Sequence, residues 1–487
     1  MESTAYEMVI GLECHVQLLT ESKLFSPARN RYGDAPNENV DVVDAGLPGV
    51  LPVMNEKALR CALFLGLAAG CTIRRHSTFA RKHYFYPDLP KGYQISQYDE
   101  PLCEGGEVLI DTGAGARSIA LTRIHIEEDA GKSMHEGDER ASFVDYNRAG
   151  TPLLEVVTEP VLRGADEAMA FVKALRALVV TLGICDGNMQ EGSLRVDANV
   201  SVRKRGSPTL GQRTELKNLN SIRFLGAAIE VEAERQIFEL EQGRNIVMET
   251  RLYDEQKRQT RAMRSKEEAH DYRYFPEPDL LPLHISEDDI AEARAALPEL
   301  PLERERRYGE QLGLSPADAR TLVAEKMIAE YFEDALAFHS NPRSVANWVV
   351  NEVMRVARSE RIDDGAGLKM PFPARSLAEL VRLVDDGTIT GRIAKQIFSA
   401  MVEGRGTDPA RLVTELGLQV ERDEGALVTV IEQLITEFPK EVQSYRGGKA
   451  KALGFFVGQV MRRTEGKADP AEVNRLLKER LGEPGAE

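Results

Sequence analysis

The spacing of hydrophobic and polar residues changes along the chain at about residue 285. Up to about Pro282, apolar residues stand in short alternating segments separated by glycine turns and proline-containing loops, which is typical of an antiparallel or mixed sheet with helices packed against it. From about Ser286 onward the apolar residues recur at helical spacing, so this part is predicted to be all-helical. The clearest helical segments are 290–296, 318–337, 344–359 and 377–384.

A linker is predicted between Glu403 and Pro409, where two glycines and a proline lie close together. The sequence after this linker is again helical in pattern. We therefore expect an α+β protein with a sheet-rich N-terminal domain over residues 1–292, an all-helical domain over 293–406 and a small helical tail domain over 407–487. A length of 487 residues agrees with this division, at about 150 residues per domain.

Polar side chains share one face in each of four predicted strands. Alternate residues of a strand point to the same side of the sheet, so Glu13, His15 and Gln17 of the segment 9–18 share a face. The same alternation groups Arg123, His125 and Glu127 in 119–127, Glu155 and Glu159 in 153–159, and Arg195, Asp197, Asn199, Ser201 and Arg203 in 194–203. A sheet whose polar face is merely solvated would explain each strand taken singly.

The residue types on these faces favour a second interpretation, a binding site for a cation and phosphate. Carboxylates are depleted in strands, and like charges on facing strands repel, so clustered Glu and Asp indicate a bound cation. Oxygen ligands with at most one imidazole suit Mg²⁺, which proteins hold through a few carboxylates together with substrate phosphates. The residues that would then bind nucleotide phosphate are Arg195, Arg203, Arg213 and Lys217.

The segment 81–94 combines cations, aromatic rings and two prolines. The prolines restrict the backbone, so that Lys82, Tyr84 and Lys91 would be presented in a defined geometry suited to a nucleotide or to a nucleic-acid 3′ end. The alternative is a hairpin with Tyr and Phe in its core, which explains the aromatic residues but not the two lysines. The sequence contains no P-loop motif, and Gly113–Gly115 is predicted to be a hairpin turn between two strands.

Charge and composition limit the classes of partner. Lys and Arg number 62 and Asp and Glu 78, a formal charge of −16, so most of the surface would repel nucleic acid and any such contact must be local. No early apolar segment is long enough to span a membrane or to serve in a signal peptide, and a cytoplasmic protein without a membrane partner is expected. The five cysteines include no CxxC pair, so neither a disulfide framework nor a four-thiolate zinc site is predicted.

Several long and irregular motifs resemble those of one family, the B subunits of aspartyl/glutamyl-tRNA amidotransferases (GatB). They are GLECHVQ at 11–17, LPGVLPV at 47–53, RKHYFYPDLPKGYQ at 81–94, IEEDAGK at 126–132, DYNRAGTP at 145–152 and AHDYRYFPEPD at 269–279. The C-terminal GGKAKALGFFVGQVM at 447–461 is similar to the family's YqeY-like tail domain. The resemblance covers nearly the whole chain in order.

This resemblance implies a subunit that works with GatA and GatC to convert Glu-tRNA(Gln), and often Asp-tRNA(Asn), into Gln-tRNA and Asn-tRNA. It implies that the subunit uses ATP and Mg²⁺ to phosphorylate the side-chain carboxylate of the tRNA-bound amino acid, and that ammonia from GatA then displaces the phosphate. It implies a glutamine-synthetase-like cradle whose metal ligands are Glu13, His15, Glu127 and Glu155. The candidate catalytic residues that match positions lining the same pocket are Lys82, Tyr84, Lys91 and Asp197.

A basic region in the tail, between Lys440 and Lys467, is a candidate tRNA contact. It contains seven basic residues and two acidic ones, Glu441 and Glu465, a local charge of +5. The residues with the spacing of one buried helix face are Leu453, Phe456, Val457, Val460 and Met461. The cations lie outside that face, and those expected to contact the tRNA backbone are Lys449, Lys451, Arg462 and Arg463. A merely solvated helix face is the alternative.

The chain departs from the family pattern at one place. Many members have zinc-binding cysteines in the region that corresponds to 24–46, but the segments 24–29 and 43–48 contain none here, so no zinc is expected. Two other functions remain open, a free-standing carboxylate-amine ligase of glutamine-synthetase type and a non-catalytic tRNA-binding scaffold. The tail domain favours the amidotransferase subunit, because a free-standing ligase would not need it.

Overall fold

A computed structural model describes residues 5–113, 115–134, 142–217, 219–263, 272–359, 369–418, 424–449, 451–464 and 467–482. Residues 269–271 of the motif at 269–279, and Glu465 of the basic tail region, lie outside these described residues. The chain divides into two compact units, Met1–Arg304 and Glu305–Glu487. The described strands all lie in the first unit, and the second is helical, which confirms the predicted α+β class.

Most strands of the first unit belong to one large mixed sheet. In chain order the strands are β1 (Tyr6–Gln17), β2 (Thr72–Ile73), β3 (His76–Ser77), β4 (Ala80–His83), β5 (Tyr93–Ser96), β6 (Cys103–Glu104), β7 (Glu107–Asp111), β8 (Ala116–Glu128), β9 (Lys132–Met134), β10 (Phe143–Asp145), β11 (Pro152–Thr158), β12 (Leu194–Lys204), β13 (Thr214–Lys217), β14 (Thr250–Asp254), β15 (Gln259–Ala262), β16 (Phe275–Pro276) and β17 (Leu283–His284). Within the described residues, the large sheet has the order β15-β14-β13-β12-β1-β11-β8-β6-β2, with β7 paired to β8. Its strand pairs are antiparallel apart from β13 and β14, which are parallel.

The four strands predicted to carry polar faces are neighbours in this sheet, in the order β12-β1-β11-β8. Their ends differ from the predicted ones by three residues or fewer. Glu159, predicted within the third strand, lies just beyond it, because the register shifts between Val157 and Thr158 and the strand ends there. The Glu159 carboxylate instead accepts a hydrogen bond from Thr122 Oγ1 at 2.8 Å.

Two hairpins predicted from the sequence are present. Asp111 of β7 pairs with Ala116 of β8, and Gly113 between them has a φ of 90°, which glycine adopts without steric cost. The second hairpin joins β4 and β5, and it forms a small sheet with β16 in the order β16-β4-β5. Phe85 in its connecting loop is 89% exposed, so this ring is not part of a hairpin core.

Helices cover the apolar face of the large sheet. They are α1 (Glu56–Ala68), α2 (Ala165–Thr181) and α3 (Ile222–Glu241), and α4 (Glu287–Ala295) packs against α1. Alternate residues of β1 such as Leu12 and Cys14 are fully buried in one core with Phe171 of α2 and Ile229 of α3. The residues between them in β1, including Glu13 and His15, therefore face the opposite side of the sheet.

A run of helices forms the second unit. They are α5 (Pro301–Glu310), which crosses from the first unit, α6 (Pro316–Val323), α7 (Lys326–Leu336), α8 (Pro342–Trp348), a π-helical turn (Val349–Val353), α9 (Met354–Ser359), α10 (Ala374–Asp385), α11 (Gly391–Val402), α12 (Pro409–Glu415), α13 (Glu424–Glu437), α14 (Pro439–Arg446), α15 (Lys451–Arg463) and α16 (Pro470–Leu481). The predicted helical segment 318–337 contains a break, because Glu325 is extended and begins a new helix. Among the described residues, no helix combines the length and the apolar character needed to cross a membrane.

The described part of the second unit contains two hydrophobic cores. The first includes buried residues from Tyr308 to Val413, and the second includes buried residues from Leu427 to Leu481. In the predicted linker, Gly404 and Gly406 have φ angles of 76° and 154°, consistent with a turn between helices. The division of the chain at 292/293 and 406/407 stays a prediction.

The tail helix α15 has the amphipathic character that its sequence predicts. Phe456 and Val460 are fully buried in the second core. Leu453, Val457 and Met461 are partly buried against the same core. The four candidate tRNA contacts, Lys449, Lys451, Arg462 and Arg463, are all exposed.

Candidate active site

The strand register brings ionisable side chains into one row across the large sheet. His15 of β1 is opposite Glu155 of β11, and Glu155 is opposite His125 of β8. On the other side of β1, His15 is opposite Arg195 of β12. Residues paired across strands project to the same face, so this row stands on the face that the helices leave uncovered.

Three side chains of this face form a compact group of ligand atoms. His15 Nε2 lies 3.5 Å from Glu127 Oε1 and 3.7 Å from Glu155 Oε2. Among the described residues, one ligand atom from each of His15, Glu127 and Glu155 lies within 4.8 Å of the others. We call these three residues the His-Glu-Glu cluster. Three of the four predicted metal ligands are thus brought together.

Glu13, the fourth predicted ligand, lies on the same face but is not a member of the cluster. It is opposite Asp197 of β12, and its carboxylate accepts a hydrogen bond from Asn199 Nδ2 at 3.0 Å. Burial raises the pKa of Glu13, and the neighbouring carboxylates Glu155 and Glu215 raise it further. This crowding of like charge is the situation that a bound cation would relieve.

His125 is a member of the site that the residue assignment from sequence leaves out. Its buried Nε2 lies 3.5 Å from both Glu127 Oε2 and Glu155 Oε2. Arg123 Nε donates to His125 Nδ1 at 3.3 Å, so the Nε2 atom carries the proton in the neutral ring. The Nε2 proton is directed at Glu127, to which His125 hydrogen-bonds, and Glu155 lies at the same distance from this atom. The sequence does indicate His125, because strand alternation places it on the same face of β8 as Glu127.

Glu127 is held in its charged form. Burial by itself would raise the pKa of Glu127, but the hydrogen bond from His125 and the nearby His15 and Lys82 outweigh it and keep this pKa well below its ordinary value. Ser96 Oγ also donates to Glu127 Oε2 at 3.2 Å. A buried carboxylate that stays ionised is a suitable ligand for a hard cation.

The donor set of the cluster fits a divalent cation such as Mg²⁺. Two carboxylates and one imidazole give mainly oxygen ligands, and Glu13 adds a further carboxylate on the same face. The three cluster residues come from three adjacent strands, so the sheet itself fixes their spacing. Rigid elements position ligands more accurately than loops do.

The predicted catalytic lysines and tyrosine lie in the β4–β5 region but have different surroundings. Lys82 Nζ lies 5.0 Å from the centre of the Tyr272 ring. Lys91 Nζ donates to both carboxylate oxygens of the buried Glu128, at 2.5 and 2.6 Å. Tyr84 is half-buried, and burial together with nearby carboxylates raises its pKa well above the ordinary value, so its hydroxyl stays protonated.

Asp129, the residue after β8, is a further buried carboxylate. Its Oδ2 accepts hydrogen bonds from Arg148 at 2.7 Å, Arg195 at 2.9 Å and Gln17 at 3.2 Å. Burial would raise the pKa of Asp129, but the charges and hydrogen bonds of Arg195 and Arg148 lower it to about 2. Arg195, predicted to bind phosphate, is thus already paired with a carboxylate.

Two further predicted phosphate-binding residues and the predicted catalytic Asp197 also occur in ion pairs. Arg203 Nε donates to Glu7 at 2.7 Å. Lys217 Nζ lies 2.8 Å from Asp197 and 2.9 Å from Glu215. The predicted catalytic Asp197 is therefore tied to a predicted phosphate-binding residue, and both stay predictions.

A cavity of about 440 Å³ opens beside Glu13. Gly11 and Glu13 of β1 form part of its lining, and Arg213 contributes a cation. Its apolar lining includes Val9, Leu210 and Met248. The cavity thus combines an apolar part with both a carboxylate and a guanidinium.

Comparison with known proteins identifies the family. The description "GatB/GatE catalytic domain" matches residues 8–291, and "GatB domain" matches residues 330–481. The chain belongs to the GatB family. It is 52% identical over 478 residues to the aspartyl/glutamyl-tRNA(Asn/Gln) amidotransferase B subunit of Nitratidesulfovibrio vulgaris strain Hildenborough, covering 98% of this chain and 100% of that protein. It is 50% identical over 483 residues to the protein of the same name from Myxococcus xanthus strain DK1622, covering 99% of this chain and 100% of that protein.

The GatB match places the His-Glu-Glu cluster inside the part of the chain that corresponds to a catalytic domain. The same match includes the cavity beside Glu13. The basic tail residues Lys449 and Lys451 lie in the second matched domain. The resemblance inferred from sequence motifs is therefore confirmed at the level of the family.

Proposed function

We propose that this chain is the ATP-dependent B subunit of a tRNA-dependent amidotransferase. In this proposal it phosphorylates the side-chain carboxylate of Glu-tRNA(Gln), Asp-tRNA(Asn) or both, and ammonia from a glutaminase subunit then displaces the phosphate. The names of the similar proteins support this class of reaction. A carboxylate is a poor electrophile, so amide formation needs a phosphate leaving group.

The His-Glu-Glu cluster is the observation that carries the proposal. His15, Glu127 and Glu155 would hold Mg²⁺, with Glu13 available on the same face. The bound ion would supply positive charge to the phosphate groups of ATP. His125 would help to position Glu127 by hydrogen bonding, and it lies 3.5 Å from Glu155 as well.

The cavity beside Glu13 is the place we propose for the nucleotide. Its apolar residues Val9, Leu210 and Met248 would contact the base, and Arg213 would contact phosphate. Glu13 lines the same cavity, so the phosphates would lie toward the polar face of the sheet. Lys82 would add positive charge near the reacting carboxylate, since its field already acts on Glu127.

ATP hydrolysis that depends on misacylated tRNA tests the proposal against its alternatives. The proposed subunit, assembled with its partners, hydrolyses ATP in response to Glu-tRNA(Gln) or Asp-tRNA(Asn). A free-standing carboxylate-amine ligase would hydrolyse ATP with a free amino acid and no tRNA. A non-catalytic scaffold would bind tRNA but leave ATP unchanged. Either of these last two results would contradict the proposal.

The isolated chain is expected not to use glutamine as a nitrogen donor. All five cysteines are buried and free, and burial raises their pKa, to about 11 for Cys61 and about 12 for Cys185. A thiol needs its thiolate form to attack glutamine, so none of these residues is a suitable nucleophile. Release of glutamate from glutamine by the pure chain would contradict this, whereas amidation with a high concentration of free ammonia is compatible with it.

Simultaneous Lys449→Ala and Lys451→Ala replacement is expected to weaken tRNA binding. Both lysines are exposed in the basic tail region, and each neutralised phosphate adds roughly 0.7 to 0.9 to the slope of log affinity against log salt concentration. Loss of both contacts should therefore flatten this slope by about 1.4 to 1.8. Fluorescence titration of tRNA at several salt concentrations measures the slope, while ATP binding should stay unchanged.

Lys57→Ala with Lys173→Ala is the matched control for the tail variant. These two lysines are also exposed, on α1 and α2 of the first unit. Their replacement removes the same formal charge as the tail variant does, so any general electrostatic effect appears in both variants. Parental affinity and slope in the tail variant, or an equal change in the control, would show that Lys449 and Lys451 are only solvated charges. Arg463 is less suitable for this test because it pairs with Glu437.

A further inference from the structure

Two tyrosine rings form a parallel stack in the first unit, one of them exposed and the other half-buried. The ring centres of Tyr98 and Tyr274 lie 4.0 Å apart, and their planes differ by 6°. Tyr98 is nevertheless 54% exposed. Aromatic pairs in proteins usually prefer offset or edge-to-face contacts, and large exposed rings commonly mark binding surfaces. This pair, the tyrosine stack, has no role in the functions argued above.

The tyrosine stack lies just beyond the strands of the small sheet, with Tyr98 two residues past the end of β5 and Tyr274 immediately before β16. On one face, Arg81 of β4 lies over the rings of Tyr93 and Phe275, 4.2 and 5.7 Å from their centres. Lys82 and Ser96 occupy the alternate positions and therefore the other face. Ser96 Oγ donates to Glu127 Oε2 at 3.2 Å, so this second face is directed at the His-Glu-Glu cluster. Tyr98 follows Ser96 by two residues.

A third tyrosine and a lysine lie next to the tyrosine stack. The Tyr272 ring meets the Tyr274 ring edge-on, with centres 6.0 Å apart, and Lys82 Nζ lies 5.0 Å from the centre of Tyr272. Between the two tyrosines, Arg273 has a φ of 43°, a conformation that costs energy for a residue other than glycine and that concentrates at functional sites. The backbone is held there by a hydrogen bond from the His83 N–H to the Tyr272 carbonyl oxygen at 2.9 Å.

We infer that the tyrosine stack binds an unpaired nucleobase, and that this base is the 3′-terminal base of the tRNA acceptor end. Exposed aromatic rings combined with a cation are the usual recognition elements for single-stranded nucleic acid. The inference rests on the proposed function, in which the reacting amino acid is esterified to the terminal ribose. Its carboxylate can reach the cluster only if the terminal base lies close by. Tyr98 and Tyr274 are positioning residues in this assignment.

The tyrosine stack could instead bind the base of ATP. The cavity beside Glu13 speaks against this, because it already offers a separate place for the nucleotide. That cavity offers apolar contacts from Leu210 and Met248 together with Arg213 for phosphate. It adjoins β1 and β12, whereas the tyrosine stack belongs to the β4–β5–β16 region. Two separate base-binding places are what a reaction between ATP and an aminoacyl-tRNA requires.

The test compares binding of uncharged tRNA with and without its 3′-terminal nucleotide, using the full chain assembled with its partner subunits. For the parental protein, removal of the terminal nucleotide should weaken binding by roughly 5- to 150-fold, the range for loss of one stacked base. Tyr98→Ala should weaken binding of intact tRNA by a similar factor. This variant should then bind intact tRNA and tRNA without the terminal nucleotide equally well. Tyr98→Leu keeps an apolar side chain without a ring and should behave like Tyr98→Ala, whereas Tyr98→Phe should behave like the parent.

Phe238→Ala is the matched control, since Phe238 is 56% exposed on α3 and belongs to neither site. The inference is overturned if Tyr98→Ala or Tyr98→Leu still distinguishes the two tRNAs as the parent does. It is also overturned if Tyr98→Ala raises the KM for ATP and leaves the effect of tRNA trimming unchanged, because the stack would then hold the nucleotide base. Equilibrium binding of uncharged tRNA needs no catalysis. A parent that discriminates the two tRNAs but lacks tRNA-dependent ATP hydrolysis would contradict the proposed function while supporting the stack.

Discussion

Glu127→Ala is expected to lower tRNA-dependent ATP hydrolysis and amidation by at least about 100-fold, because loss of one carboxylate from a hard-cation site removes several kcal/mol of charge stabilisation. Glu127 lies 3.5 Å from both His15 and His125, so its removal leaves Glu155 as the one carboxylate of the cluster beside both imidazoles. Glutaminase activity of the partner subunit should remain nearly intact. Initial rates of the two half-reactions in the assembled amidotransferase measure the difference.

Glu159→Ala is the control for this variant. Sequence alternation groups Glu159 with Glu155, but Glu159 lies beyond the end of β11 and contacts Thr122 instead. Its removal should therefore leave the ATP-dependent reaction within about twofold of the parent, as is usual for surface positions. Titration of the full chain with Mg²⁺ or Mn²⁺ measures cation binding itself, which does not depend on activity. Normal amidation by Glu127→Ala at ordinary Mg²⁺ would refute the ligand assignment.

The polar face of the sheet could be predicted because strand alternation has a fixed period of two. A register error of one residue would have placed His15 in the apolar core, so the alternation in β1 constrains the result strongly. The pairing of β1 with β11 and β12 places Glu13, His15 and Glu155 on one face without any further information. Family resemblance then selected the metal ligands from among these residues.

The partners of individual charges could not be predicted, because they depend on contacts between distant parts of the chain. Arg195 is paired with Asp129, and Lys91 with Glu128. The two carboxylates are adjacent residues at the end of β8. Strand alternation places them on opposite faces but does not predict which cation each one pairs with. His125 was missed for the opposite reason, since its position on the face was visible but its distance to the carboxylates was not.

Asp44→Ala is expected to open the loops around it, because Asp44 is the partner of a lysine with no exposure to solvent. Lys23 Nζ donates to Asp44 Oδ2 at 3.1 Å and to the Tyr146 carbonyl oxygen at 3.2 Å. Burial lowers the pKa of Lys23, while the charge of Asp44 acts in the opposite direction. Removal of one partner of a buried ion pair typically costs about 3 to 5 kcal/mol, because the remaining charge is left uncompensated.

The effect of Asp44→Ala should concentrate in the segments that the ion pair joins. Leu24 N–H donates to the Gly150 carbonyl oxygen at 2.8 Å, and Asn39 N–H donates to Asn147 Oδ1 at 2.9 Å. Amide hydrogen exchange in 24–46 and 144–150 should therefore accelerate by roughly 100-fold or more, in line with a loss of about 3 kcal/mol or more. Exchange in α13 to α16 should not change, since those helices have their own core.

The double variant Lys23→Met with Asp44→Ala separates the buried charge from the other contacts of Asp44. Without the lysine there is no uncompensated charge, and replacement of both members of a buried ion pair by apolar residues is often neutral. Most of the lost protection should therefore return, apart from the part due to the hydrogen bond from Asp41 N–H to Asp44 Oδ2. If Asp44→Ala alone exchanged like the parent, or if the double variant were as unprotected as the single one, the ion pair would not be what holds these loops together.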